Sequence, residues 1–242
     1  MTTHLNRYRF AAALSGLIVL LAAAGPRAQD KQIAIFTNGD PTLAAPVAGA
    51  PYSAEGITTV KMRMYDGTRI DRSVTAKFYR DNAGRVRREQ TVVGLEVLDP
   101  SNDFRSVVQI VDHVAGVMYT LNPGSRTAHR MPTSVLRTEP KPQGVGPGPT
   151  KVTRQNLGTK DIDGFQATGQ LLVTVIPAGQ IGNDRPIEIS DEQWTSTDLK
   201  VVMYSKHSDP RSGDIEFRLT KISRQEPAKD LFAVPAGFKI MD

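Results

Sequence analysis

The stretch from Tyr65 to Arg88, YDGTRIDRSVTAKFYRDNAGRVRR, holds two turns and the full strand between them, and it fixes the register of three strands. Upstream of the first turn the apolar residues sit at even positions, Val60, Met62 and Met64. In the middle strand they do so again, at Ile70, Val74, Ala76 and Phe78, with Lys61, Arg63, Asp71, Ser73, Thr75 and Lys77 between. Period two is the mark of a half-buried sheet. A two-residue Asp66-Gly67 hairpin would place Met62 opposite Asp71 and set the apolar faces against each other, because a slip of one residue swaps the faces. A three-residue connection, Tyr65-Asp66-Gly67, with a type I turn and a left-handed glycine, restores the match: Met62 faces Ile70 and Thr58 faces Val74. Asp81-Asn82-Ala83-Gly84 has the same form, so that Val74 faces Val92 and Phe78 faces Arg88. The expectation is a twisted antiparallel meander.

At the amino terminus, Arg7 and Arg9 precede an apolar run from Phe10 to Leu21 and the small residues Ala22-Ala23-Ala24. This is the pattern of a secretory signal peptide over residues 1–28, cleaved after Ala24 or Ala28. The run is shorter than the roughly 20 apolar residues of a spanning helix and contains Ser15 and Gly16. It implies a periplasmic or secreted protein. The chain has no cysteine, so stability in that oxidising setting must come from a core rather than from disulfides. Without Arg7, Arg9 and Arg27, 27 basic residues face 25 acidic ones, a net charge of +2. Apart from Arg85-Val86-Arg87-Arg88 the charges are interspersed, which argues against a nucleic-acid partner.

Residues 29–50 combine one apolar burst (Ile33 to Phe36) with Asn38-Gly39-Asp40-Pro41 and an Ala/Pro/Gly run, and read as a loosely ordered arm. The domain is expected to span 51–242 as one unit. After the meander, Arg105 to Asp112 and Val117 to Leu121 form a hairpin that ends in the turn Asn122-Pro123-Gly124-Ser125. The Pro/Gly-rich stretch 138–150 cannot be an interior strand. It reads as a loop within one sheet, or else as a linker between halves. Beyond it, Phe165 to Val175, Ile187 to Trp194, Leu199 to Lys206 and Ile215 to Leu219 read as strands. Asp209-Pro210-Arg211-Ser212-Gly213 is the hairpin loop between the last two. The apolar end, Leu231 to Phe238, lacks alternation and is expected to tuck under a sheet edge. About ten strands and no 3.6-residue period make the fold mainly β, an antiparallel sheet curled into a half-open barrel.

No catalytic or cofactor motif stands out. His113, His129 and His207 are not at metal-ligand spacing from one another, though Asp112-His113 and His207-Ser208-Asp209 could meet from neighbouring loops. The nucleophile elbow G-x-S-x-G is absent. Glu188, Asp191 and Glu192 near Trp194 would suit a carbohydrate site with two carboxylates and a stacking ring, or simply a solvated strand end. The sharper anomaly is on the core-facing stripe, where Arg72 falls between Ile70 and Val74, and Arg88 lies opposite Phe78. A charge there costs several kcal/mol unless it is paired or wetted. The two arginines mark either the rim of a partly open cavity or an internal ion pair with Glu55 or Glu96. On the cavity reading the ligand-binding residues are Val60, Met62, Ile70, Arg72, Val74, Phe78, Arg88 and Val92.

Several motifs carry a resemblance. Tyr52-Ser53-Ala54-Glu55, Asp66-Gly67, Tyr79-Arg80-Asp81 with Gly84-Arg85, and Arg87-Arg88-Glu89 resemble a family of uncharacterised exported bacterial proteins. So do Leu157-Gly158 with Gly164, Ile176-Pro177-Ala178-Gly179 with Ile181-Gly182-Asn183, and Phe232 with Val234-Pro235-Ala236-Gly237. More distantly, the layout is similar to the periplasmic outer-membrane lipoprotein carriers (LolA-like) and to the lipoprotein-sensing domain of a sigma-factor regulator. That resemblance implies an antiparallel half-barrel around a greasy cavity, with a lipid or lipoprotein acyl chain as partner and no cofactor. The sequence departs from the carriers in having no segment of helical period to form lid helices. The function expected is a non-enzymatic binding protein that shelters an acyl chain. The alternative is an envelope-associated structural or protein-interaction module whose core is filled by its own side chains.

Overall fold

The computed structural model describes residues 40–90, 106–137 and 150–242, together with the short paired strands β1 (Ile18–Val19) and β2 (Ile35–Phe36). The rest of the expected signal segment and arm, Glu96, Val92 and the Pro/Gly stretch up to residue 149 lie outside the described residues. The first hairpin joins β3 (Tyr52–Arg63) to β4 (Arg69–Arg80), and the second joins β4 to β5 (Val86–Gln90). Met62 pairs with Ile70, Thr58 with Val74, and Phe78 with Arg88, the register that the apolar alternation requires. Both turns have the expected form. The Met64 amide donates to the Thr68 carbonyl, the Gly67 amide to the Met64 carbonyl, and Gly67 and Gly84 both have φ of +87°. Asp66 fastens the first turn by accepting from the Thr68 amide, a bond that holds its carboxyl below the usual carboxylate range.

The chain continues through β6 (Val107–Asp112), β7 (Val117–Asn122), β8 (Thr127–Pro132), β9 (Lys151–Ile162), β10 (Phe165–Ile176), β11 (Ile187–Ser196), β12 (Val202–Asp209), β13 (Gly213–Ser223) and β14 (Lys239–Met241). Twelve of these strands form one sheet in the order β14-β8-β7-β6-β5-β4-β3-β13-β12-β11-β10-β9. The count exceeds the ten expected for a physical reason. β8, β9 and β14 lie at or beside the sheet's ends, where little apolar alternation is needed, and β9 is exposed at all but two of its positions. All pairings in this sheet are antiparallel except that of β14 with β8. The sheet curls without closing, because its ends, β14 and β9, are not paired with each other. Helical structure among the described residues is limited to three short 3-10 turns, at Pro41–Leu43, Thr133–Arg137 and Lys229–Phe232.

One apolar cluster joins Tyr52, Ala54, Ala76, Phe78, Phe217 and Leu219 to Met203, Val201, Leu199, Trp194, Ala167 and Phe165. Phe78 and Phe217 meet edge to face at 6.1 Å. The side of β3 and β4 that carries Ala54, Ala76 and Phe78 is called the inner face below. Cross-strand partners share a face, so Arg88, Gln109 and Thr120 lie on the inner side of β5, β6 and β7. On the outer side of the same strands, Val234 and Phe238 pack on Val108, Ile110, Leu121 and Ala128, and Arg87 donates to the Leu231 carbonyl at 2.8 Å. β6 is therefore buried from Val107 to Val111 on both faces, as its apolar run Val-Val-Gln-Ile-Val requires. The edge itself is covered not by Leu231 to Phe238, which pack on the sheet's face, but by the following residues, which add β14 beside β8.

Candidate ligand-binding site on the inner face

The inner face of β3 and β4 changes character along its length. Phe78 and Ala76 are 2% and 7% exposed, but further along Val74, Val60 and Ile70 are only half-buried, Met62 reaches 36%, and Arg72 is exposed. The strands run on past the core, so the same apolar stripe that is packed at one end is open at the other. Pairing of β3 with β13 adds Ile215 beside Val60 and Phe217 beside Thr58. Ile215, half-buried, belongs to the stripe and was not identified from sequence. Its alternation was visible, but nothing local shows that a strand so near the chain end pairs with the first strand of the sheet.

The expected site residues fall into two groups. Val60, Met62, Ile70, Arg72 and Val74 line the open stripe, with Val60 directly paired to Arg72. Phe78 is packed against Phe217, and Arg88 is 5% exposed beside it. The six residues from Arg72 to the Phe78 position correspond to about 20 Å of extended chain, so the two guanidinium groups lie well apart along the face rather than forming one clamp.

Among the described residues Arg88 is paired with Asp40 and not with Glu55, while Glu96 lies outside them. Its Nε lies 3.1 Å from Asp40 Oδ2, with the two side chains 6% and 2% exposed. Glu55 instead holds Lys221 at 2.8 Å. Arg88 Nη1 donates to Gln109 Oε1 at 3.3 Å and Nη2 to Gln90 Oε1. Asp40 caps the Pro41–Leu43 turn, where its Oδ1 accepts from the Thr42 amide at 2.9 Å and from the Thr42 hydroxyl at 2.6 Å. The arm is fastened further along. The Gly49 amide donates to the Asn82 carbonyl at 3.0 Å, and Arg80 donates to the Ala50 carbonyl through Nε and Nη2 at 2.8 and 2.6 Å. Beside this group lies Tyr52, fully buried, with the Arg80 guanidinium 4.8 Å over its ring. Its hydroxyl makes no hydrogen bond among the described residues, and burial, with a smaller contribution from the Asp40 charge, pushes its pKa well up.

A second concavity, of about 460 Å³, is lined by Lys160, Asp161, Ile162, Asp163, Glu192, Tyr204, Glu216 and Arg218. Trp194 lies beneath it, 6% exposed, with Nε1 donating to Glu192 at 2.5 Å and Lys160 Nζ only 3.7 Å from the ring centroid. The covered ring leaves no face for a sugar. His207 lies in β12 rather than in a loop and is hydrogen-bonded through Nδ1 to Asp191 at 2.8 Å, and this bond, opposed by desolvation, raises its pKa. Among the described residues no group of three or more His, Asp and Glu side chains could hold a metal ion.

What the geometry defines is a curled, open, antiparallel sheet with an apolar stripe and a buried cation on its inner face. Solved structures of similar layout match at low identity, among them a LolA superfamily protein of the kind the layout resembles. MucB, which has also been solved with MucA from Pseudomonas aeruginosa, is 11% identical with a TM-score of 0.42, covering 82% of this chain and 62% of its own. The lipoprotein LppX of Mycobacterium tuberculosis is 18% identical with a TM-score of 0.36, over 74% of this chain and 90% of its own. A LolA superfamily protein from Nitrosomonas europaea is 8% identical, again with a TM-score of 0.36, over 81% and 95%. The chain thus spans under two thirds of the length of MucB. No family model and no curated protein matches the sequence.

Proposed function

We propose that the protein is an exported, non-enzymatic binding protein of the cell envelope that shelters a hydrophobic or acyl-chain ligand along the inner face of its sheet. The observation that carries this reading is the stripe formed by Val60, Met62, Ile70, Val74 and Ile215, which continues the buried core into solvent on the same face. A continuous apolar surface with a polar rim is where a protein meets a ligand or partner. Arg72 stands within the open part, between Val74 and Ile70, and a guanidinium there suits a carboxylate or phosphate head while the chain lies on the stripe.

The test uses two soluble probes of equal chain length, decanoate and decanol. Val74→Asp, at a half-buried position, should abolish binding of both with little change in the unfolding midpoint. Arg72→Ala should weaken decanoate more than decanol. If the Val74 variant binds both probes like wild type, the stripe is not the site.

A second reading has its own support. Phe78 fills its space against Phe217, and Arg88 is satisfied by Asp40, Gln90 and Gln109, as expected of a module with a self-filled core that acts through protein contacts. On that reading neither probe binds to wild type.

A further inference from the structure

The ion pair of Arg88 joins the inner face not to another strand but to the arm that precedes the first strand of the main sheet. We infer that the group around Arg88 is a built seat for a carboxylate or phosphate headgroup, and that Asp40 is its resident occupant, a removable plug supplied by the chain itself. This rests on the reading of the inner face as the surface that takes an amphiphile.

Three features make the group a seat rather than an ordinary internal ion pair. Its donors come from the rigid sheet: the Arg88 guanidinium on β5, oriented by Gln90 on the same strand and Gln109 on β6, all at most 5% exposed. Its acceptor comes from a three-residue 3-10 turn outside the sheet, so the cation belongs to the sheet and the anion to the arm that packs on it. The Tyr52 hydroxyl, fully buried on the same face, is a further donor with no partner among the described residues. A guanidinium with a phenol and two orienting amides accommodates an anion with two or more oxygens. Only one Asp40 oxygen faces Arg88, because the other is taken up by the Thr42 amide and hydroxyl.

The position gives the plug a consequence. Arg88 pairs directly with Phe78, at the packed end of the stripe whose open part carries Arg72. A ligand whose head displaces Asp40 from Arg88 would have its chain directed toward the apolar inner face, and release of Asp40 would free the turn at 41–43 from the sheet. The arm and the headgroup then compete for one cation.

The experiment uses the full mature chain, with Asp40→Gly to remove the plug and the double variant Asp40→Gly/Arg88→Gln to remove the cation as well. Unfolding midpoints are measured in sodium acetate and in sodium chloride of equal ionic strength. Decanoate and decanol binding is then titrated. The expected result is that acetate raises the midpoint of Asp40→Gly relative to chloride but leaves wild type and the double variant unchanged, and that Asp40→Gly binds decanoate at least tenfold more tightly than wild type does, with decanol unaltered. Should Asp40→Gly fail to fold in chloride, its refolding yield in acetate against chloride reads the same quantity. Acetate rescue without a decanoate preference would keep the anion seat and overturn its use by an amphiphile. No acetate effect on Asp40→Gly would overturn the seat itself.

Discussion

Gly56 lies where two aromatic rings close over β3: a Cβ added there would meet Phe78 Cε2 at 2.5 Å and Phe217 Cε2 at 2.7 Å. Both contacts are with the core's edge-to-face pair, which has no empty space to move into. Gly56→Ala is therefore expected to cost about 1–3 kcal/mol, read as a lowered denaturant midpoint with an unchanged slope. His207 gives a pH signature. Its folded pKa is raised above the ordinary 6.5, chiefly by the hydrogen bond that its ring N–H donates to Asp191, with Asp209 and Asp214 adding to the effect. The pair's contribution is thus fully present below about pH 6.5 and is lost as the pH rises through the folded value. Wild type should lose stability relative to Asp191→Asn over that window, and parallel pH profiles would show that the pair contributes nothing. What the residues revealed in advance was the pairing of Phe78 with Arg88 and the anomaly of a cation on an apolar stripe. The partner of that cation was not legible, because Asp40 reaches Arg88 through a turn at the edge of the arm and no periodicity links the two.

Among the elements, the hairpins were readable and the edges were not. Asp66-Gly67 and Asp81 to Gly84 are short turns with left-handed glycines, and a turn together with alternation on both sides determines register locally. β9 offers no such pattern. It is an edge strand that faces solvent almost throughout, so burial places little demand on its residue types. The carboxy-terminal segment is the converse case, apolar without alternation because it packs as an irregular cover and not as a strand. Its work is visible in the Val234 and Phe238 contacts over Val108, Ile110, Leu121 and Ala128, and in the pairing of Lys239–Met241 with Thr127–His129. Truncation after Ala233 should uncover that cluster and the β8 edge together. The expected outcome is a lower unfolding midpoint and self-association on size-exclusion chromatography. A monomeric truncation with the wild-type midpoint would mean that the tail only rests on the sheet.

At the scale of the whole molecule, the two halves of the sequence form two blocks of one sheet that meet at β3 and β13, and one strand of the second half returns to the first. β3 pairs with β13 from Lys61 opposite Asp214 to Ser53 opposite Ser223, and β14 returns from the second half to pair with β8 of the first. We therefore expect a chain cut within 138–149 to run as one particle and to unfold in one transition, whereas two separable transitions would make that stretch an interdomain linker. The curled, open sheet was legible because strand number and alternation alone lead to it. Where its apolar face is filled and where it is open was not, since that depends on how far the first hairpin runs beyond the core. The most direct test of the binding account is native mass spectrometry of the mature protein purified gently from its own envelope. The account predicts adducts of lipid mass on the wild-type protein that are lost in Val74→Asp; a clean apo mass for wild type under the same conditions would contradict it and leave the self-filled interaction module in its place.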